Sequence, residues 1–105
     1  MASNLGFGSS KKSQVKKYDL KFIEKTAENF LNKGNLDRAL ILYEKITNAG
    51  IKSDQSYLNL ARIYKELNRI DDSIQILEKS FKYVSDSTTN LTTLAYLYKE
   101  KNNLD

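Results

Sequence analysis

Cysteine, histidine, proline and tryptophan are all absent from this 105-residue chain. Without cysteine there is no disulfide framework and no thiolate metal site. Without histidine the commonest general base and the commonest metal ligand are missing. Hydrolytic and redox chemistry are thereby disfavoured, and a non-catalytic protein with no cofactor and no bound metal is expected. Long apolar runs are missing too. The richest local stretch, Ala39 to Tyr43, is far too short to cross a bilayer, so no membrane span and a cytoplasmic protein are expected.

The net charge of +4 is unevenly placed. Residues 1 to 25 carry six lysines against Asp19 and Glu24, whereas the 11 basic and 11 acidic residues beyond them balance. The Gly/Ser/Lys stretch 1–17 has little to bury and reads as a flexible basic N-terminal segment. Three roles stay open for it: a solvated leader, an arm for nucleic acid or an anionic surface, or a targeting peptide. Its lack of arginine argues against an organelle transit peptide, and it has no apolar core of a secretory signal.

What the chain does possess is a 34-residue period. Ala27, Ala61 and Ala95 recur at that step, as do Phe30, Tyr64 and Tyr98; Ile23, Tyr57 and Leu91; Leu36, Ile70 and Leu104; and Asp37, Asp71 and Asp105. Gly34, Asn68 and Asn102 fall where a tight interhelical turn needs a residue tolerant of left-handed backbone. Apolar residues at helical spacing predict a first helix over about 19–33, burying Ile23, Ala27 and Phe30. A second, capped by Asn35, carries Leu36, Ala39, Leu40, Tyr43 and Ile46 and is closed by Ala49-Gly50. A third, capped by Ser53 or Asp54, carries Tyr57, Leu60, Ala61, Tyr64 and Leu67. A fourth carries Ile70, Ile74, Leu77, Phe81 and Val84. Ser85, Asp86 and Ser87 offer caps for a fifth, with Leu91, Leu94, Ala95 and Tyr98, and Asn103 to Asp105 begin a sixth. Helices joined by such short turns run antiparallel and close, so the alanines mark backbone approaches, and core is the preferred reading of the aromatics.

Residues 18–105 thus resemble a tetratricopeptide repeat (TPR) array of about two and a half repeats, over about 20–53, 54–87 and an incomplete 88–105. The resemblance rests on Ala27, Phe30, Gly34-Asn35-Leu36-Asp37, Ala39 and Tyr43, then on Ala61, Tyr64, Asn68-Arg69-Ile70-Asp71, Ser73 and Leu77. Ile51 and Ser85 stand where the family often closes a repeat with proline. The resemblance implies an all-α fold of antiparallel helical hairpins stacked as a short right-handed superhelix. It also implies a non-catalytic scaffold or adaptor that binds a protein or peptide partner, held as an extended peptide or a helix, in a concave groove. The alternative is the N-terminal regulatory array of a larger enzyme, for example a group-transferring one, whose catalytic domain lies beyond residue 105.

The groove is expected to draw Glu28 and Leu31 from the first helix, with Glu24 beside them. Leu58, Asn59, Arg62 and Lys65 come from the third, and Thr92, Tyr96 and Lys99, with Thr93, from the fifth. Of the side chains with which similar domains grip the carboxylate ends of chaperone tails, only Asn59 matches; Glu24 and Glu28 would repel such an acidic tail. Asp71 and Asp72 read as surface charge favoured near a helix N-terminus. The repeat region has no basic stripe and no exposed aromatic series for base stacking, which argues against a nucleic-acid partner. Leu94, Tyr98 and Leu104 are expected to be exposed together with part of Leu77 and Phe81, calling either for self-association, most simply a two-fold dimer through the fifth helix, or for a continuation of the chain.

Overall fold

A computed structural model describes the backbone of residues 17–83 and 87–104, and side chains over 19–83 and 87–103. The basic stretch preceding Lys17 lies outside the described residues, as do Val84, Ser85, Asp86, Asp105 and the Leu104 side chain. The described residues form five helices: α1 (Lys17–Asn32), α2 (Leu36–Asn48), α3 (Asp54–Glu66), α4 (Ile70–Ser80) and α5 (Thr88–Leu104). Helices adjacent in sequence pack against one another, and α3 also touches α5.

Local chemistry sets the boundaries. The Asn35 side chain accepts from the Arg38 amide to cap α2, and Ser53 does the same for α3 through the Ser56 amide. Ser87 Oγ accepts from the Asn90 amide at 3.1 Å, capping α5. The α1–α2 and α3–α4 turns repeat one hydrogen-bond pattern, Gly34 N to Leu31 O and Asn35 N to Phe30 O, then Asn68 N to Lys65 O and Arg69 N to Tyr64 O. Gly34 at φ 77° and Asn68 at φ 61° supply the left-handed backbone that this pattern requires, a conformation open to glycine and, at modest cost, to asparagine. Gly50, at φ 70°, closes α2, and a β-carbon there would meet the Tyr83 ring at 3.2 Å.

Two apolar clusters lie along the array. Ala27, Ala39, Tyr43, Ile46, Leu60, Ile63 and Tyr64 join the first hairpin to α3. Ala61, Ile74, Leu77, Leu94 and Leu97 join the second hairpin to α5. The expected close approach at the small residues is visible where Ser73 Oγ donates to the Ala61 carbonyl at 2.7 Å.

The last helix departs from expectation. Its buried side holds Asn90, Leu94 and Leu97, while Leu91, Ala95 and Tyr98 face solvent. Leu94 is therefore not exposed, and Leu77 is fully buried beneath it rather than half-uncovered. The cause is geometric: α5 turns one side toward α4 and α3, and the side equivalent to Tyr57, Ala61 and Tyr64 of α3 has no following helix among the described residues. The turn expected at Asn102 does not form, and α5 continues through Leu104.

Candidate functional site

Two clefts open between α1 and α3. The first, of about 300 Å³, is lined by Lys21, Glu24, Lys25, Glu28, Tyr43, Gln55, Ser56 and Asn59. The second, of about 400 Å³, is lined by Leu31, Gly34, Leu36, Asn59, Arg62, Ile63 and Glu66. Asn59 borders both.

Polar ties link α1 to the start of α3 at the first cleft. Glu24 accepts hydrogen bonds from Ser53 Oγ and from Ser56 Oγ, the latter at 2.9 Å. That places a carboxylate at the positive end of α3, where the helix dipole favours it. Deeper in, Asn59 Nδ2 donates to the Tyr43 hydroxyl at 2.9 Å, and Gln55 Nε2 donates to Asn59 Oδ1 at 3.1 Å. A buried phenol needs such a partner. Burial pushes the Tyr43 phenol up from its ordinary range, against the lowering effect of the Asn59 bond, and the nearby Glu28 and Glu24 carboxylates push it further. It stays a neutral phenol at physiological pH.

Apart from Leu58, the expected groove residues divide into three groups. Glu28, Leu31, Asn59 and Arg62 meet at the two clefts. Lys65 and Tyr96 meet farther along, between α3 and α5: the Lys65 ammonium sits 5.0 Å above the Tyr96 ring and 3.7 Å from Glu100. Hydrogen bonding to Glu100 raises the Tyr96 phenol pKa, with Lys65 opposing. Thr92 and Lys99 are exposed and border neither cleft.

Leu58 is a correction. It is buried, as is every residue from Ser56 to Ala61, because α3 is packed by α2, α4 and α5 and tied to α1. Asn59 is buried as well, and reaches the clefts only through its amide. Of the carboxylates, Asp72 pairs with Arg69 at 2.7 Å, and Asp71 pairs with Lys101 at 2.7 Å across α4 and α5. The surface reading of both holds.

Sequence reasoning missed Lys21, Lys25, Gln55, Ser56, Ile63 and Glu66 as lining residues, and placed Tyr43 and Leu36 only in the core and Gly34 only in a turn. Tyr43 was recoverable, since its hydroxyl must emerge toward polar company. Lys21, Lys25, Gln55, Ser56 and Glu66 carry no periodic signal.

A repeating helical hairpin whose successive first helices line a groove defines the class: an all-α repeat scaffold. Residues 54–83 match the family model for the tetratricopeptide repeat. With that stretch as a tetratricopeptide repeat, the five paired helices are consistent with about two and a half such units. No curated protein and no solved structure matches the chain. The repeat suggests a protein-interaction scaffold in general, in a family that is typically non-catalytic. No described helix is long and apolar enough to cross a membrane.

Proposed function

We propose that the chain is a non-catalytic adaptor that holds a peptide segment of a protein partner across the two clefts between α1 and α3. The supporting observation is the second cleft, where Leu31, Leu36 and Ile63 form an apolar floor and Arg62 and Glu66 stand at its rim. An apolar centre with a polar border is the anatomy of a protein-binding surface, and arginine is over-represented among residues that dominate binding energy. The adjoining cleft offers carboxylates, ammonium groups and the Asn59 amide, which suits a polar backbone better than a second apolar anchor.

The test is selection of displayed peptides on the immobilised chain, repeated on Arg62→Glu. Arg62 is exposed, so the variant keeps its helical signal. Peptides enriched on the native chain are expected to lose about tenfold or more in affinity on the variant. Equal affinity for both would move the binding surface away from these clefts.

A further inference from the structure

We propose that the first cleft is a subsite for one side-chain carboxamide, an asparagine or glutamine of the bound peptide. This rests on the adaptor reading above and makes it specific: the peptide backbone stays at the open rim, and one uncharged side chain enters end-first.

Two buried groups form the floor. Tyr43 is 2% exposed and Asn59 5%, yet both line the cleft. The Tyr43 oxygen accepts from Asn59 Nδ2 at 2.9 Å, which leaves the O–H of the phenol with no acceptor among the described residues. Nδ2 carries two N–H bonds, and one of them is spent on Tyr43, while Asn59 Oδ1 accepts from Gln55. Two donors thus stand buried and unused at one point. Buried polar groups are almost always paired, because an unmade bond there forfeits hydration and gains nothing, so an exception calls for an explanation. An oxygen acceptor brought into the cleft supplies one.

The wall offers the opposite chemistry. Glu24 receives both of its serine hydrogen bonds at Oε2, so Oε1 is left over, and Glu28 makes neither a hydrogen bond nor an ion pair among the described residues. Burial raises the Tyr43 pKa most, and both carboxylates add to it, which places them within electrostatic reach of the hydroxyl.

A group that fits must accept at the floor and donate at the wall. Charge narrows the choice, since Lys21 and Lys25 balance Glu24 and Glu28 around the cleft, and neither an acid nor a base is favoured. A carboxylate has no proton to give and a hydroxyl has one; an ammonium or guanidinium cannot accept. The carboxamide is neutral, and its one end carries both an oxygen acceptor and two N–H donors.

The probe is N-acetyl-L-glutamine N-methylamide, titrated into the isotope-labelled chain while the side-chain amide signals of Asn59 and Gln55 are followed by NMR. Saturable shifts are expected with a dissociation constant of about millimolar order, as befits so small a ligand. The glutamate and methionine counterparts share its backbone amides and are expected to bind about tenfold more weakly or worse, because they leave buried donors or the carboxylates unmatched. Tyr43→Phe should also weaken the glutamine probe about tenfold. That variant deprives Asn59 of its acceptor too, so Glu28→Ala, at an exposed position, gives a second reading: weaker binding with native circular dichroism.

Three results overturn the proposal. They are shifts no larger for the glutamine probe than for the methionine one, tighter binding of the glutamate probe, which would make the cleft an anion site of Lys21 and Lys25, or affinity unchanged in both variants. The peptide selection on Arg62→Glu is read separately. Selected peptides that depend on Arg62 but carry no asparagine or glutamine preference would keep the adaptor and overturn the subsite. A glutamine probe bound at Asn59 with no peptide selected would keep the subsite and overturn the adaptor.

Discussion

Asn68 turns the chain between α3 and α4 at φ 61°, the position that Gly34 takes at φ 77° between α1 and α2. For an L-residue this conformation brings the β-carbon against the carbonyl, at about 1–2 kcal/mol. Asparagine is among the side chains that carry this least badly, and glycine does not carry it at all. Asn68→Gly should therefore hold or slightly raise the melting temperature. A β-branched residue is worst placed there, so Asn68→Val should destabilise by about 1–2 kcal/mol. Paired thermal melts check both: a valine variant that melts with the native chain would mean that the turn relaxes freely. The residue also explains why a degenerate repeat keeps its geometry, since glycine and asparagine meet one backbone requirement by different means.

Among the helices, α5 separates two kinds of apolar position that look alike in sequence. Leu97 is buried against α4 and α3, while Leu91 faces outward. Leu97→Ala should cost about 2–5 kcal/mol in urea unfolding, the range for emptying a packed site, and Leu91→Ala should stay within about 0.5 kcal/mol. Equal costs would show that α5 is rotated from the arrangement described. Period and residue type made the number, order and pairing of the helices legible, because Ala27, Ala61 and the two hairpin turns each obey a local steric rule. They did not fix which side of α5 is buried. That depends on which neighbours exist, and Ala95, in register with two buried alanines, is exposed. The candidate clefts were legible where a residue sits on the first-helix face, as Glu28, Leu31 and Arg62 do. They were not legible at Leu58, whose burial is imposed by helices distant in sequence, or at Gln55 and Ser56, whose role comes from hydrogen bonds to Asn59 and Glu24.

Across the whole molecule, stability rests on tyrosines buried as neutral phenols along the array. Burial, with a smaller contribution from Tyr83 stacked against it at 6.2 Å, pushes Tyr57 up to about 12 from an ordinary 10.0. Tyr43 and Tyr64 are also raised, chiefly by burial. A raised phenol binds its proton more tightly in the folded chain than in the unfolded one, so its contribution is complete below pH of about 10 and is lost as pH rises from there toward 12. The phenolate absorbance that disappears in Tyr57→Phe should belong to a step that coincides with the loss of helical circular dichroism, apart from that of the exposed tyrosines, and the same variant should shift the unfolding transition upward. Ionisation of Tyr57 at pH 10 with no loss of helix would contradict the burial described. The hydroxyl of Tyr64 also has a second consequence through Glu44. That link and its counterpart from Tyr98 to Glu78 each tie the first helix of one hairpin to the second helix of the hairpin before it, at the same 20-residue offset. Curvature in a solenoid is the rotation between successive units accumulated along the array, and these two carboxylates on the second helices bridge successive units at equivalent places, away from the clefts.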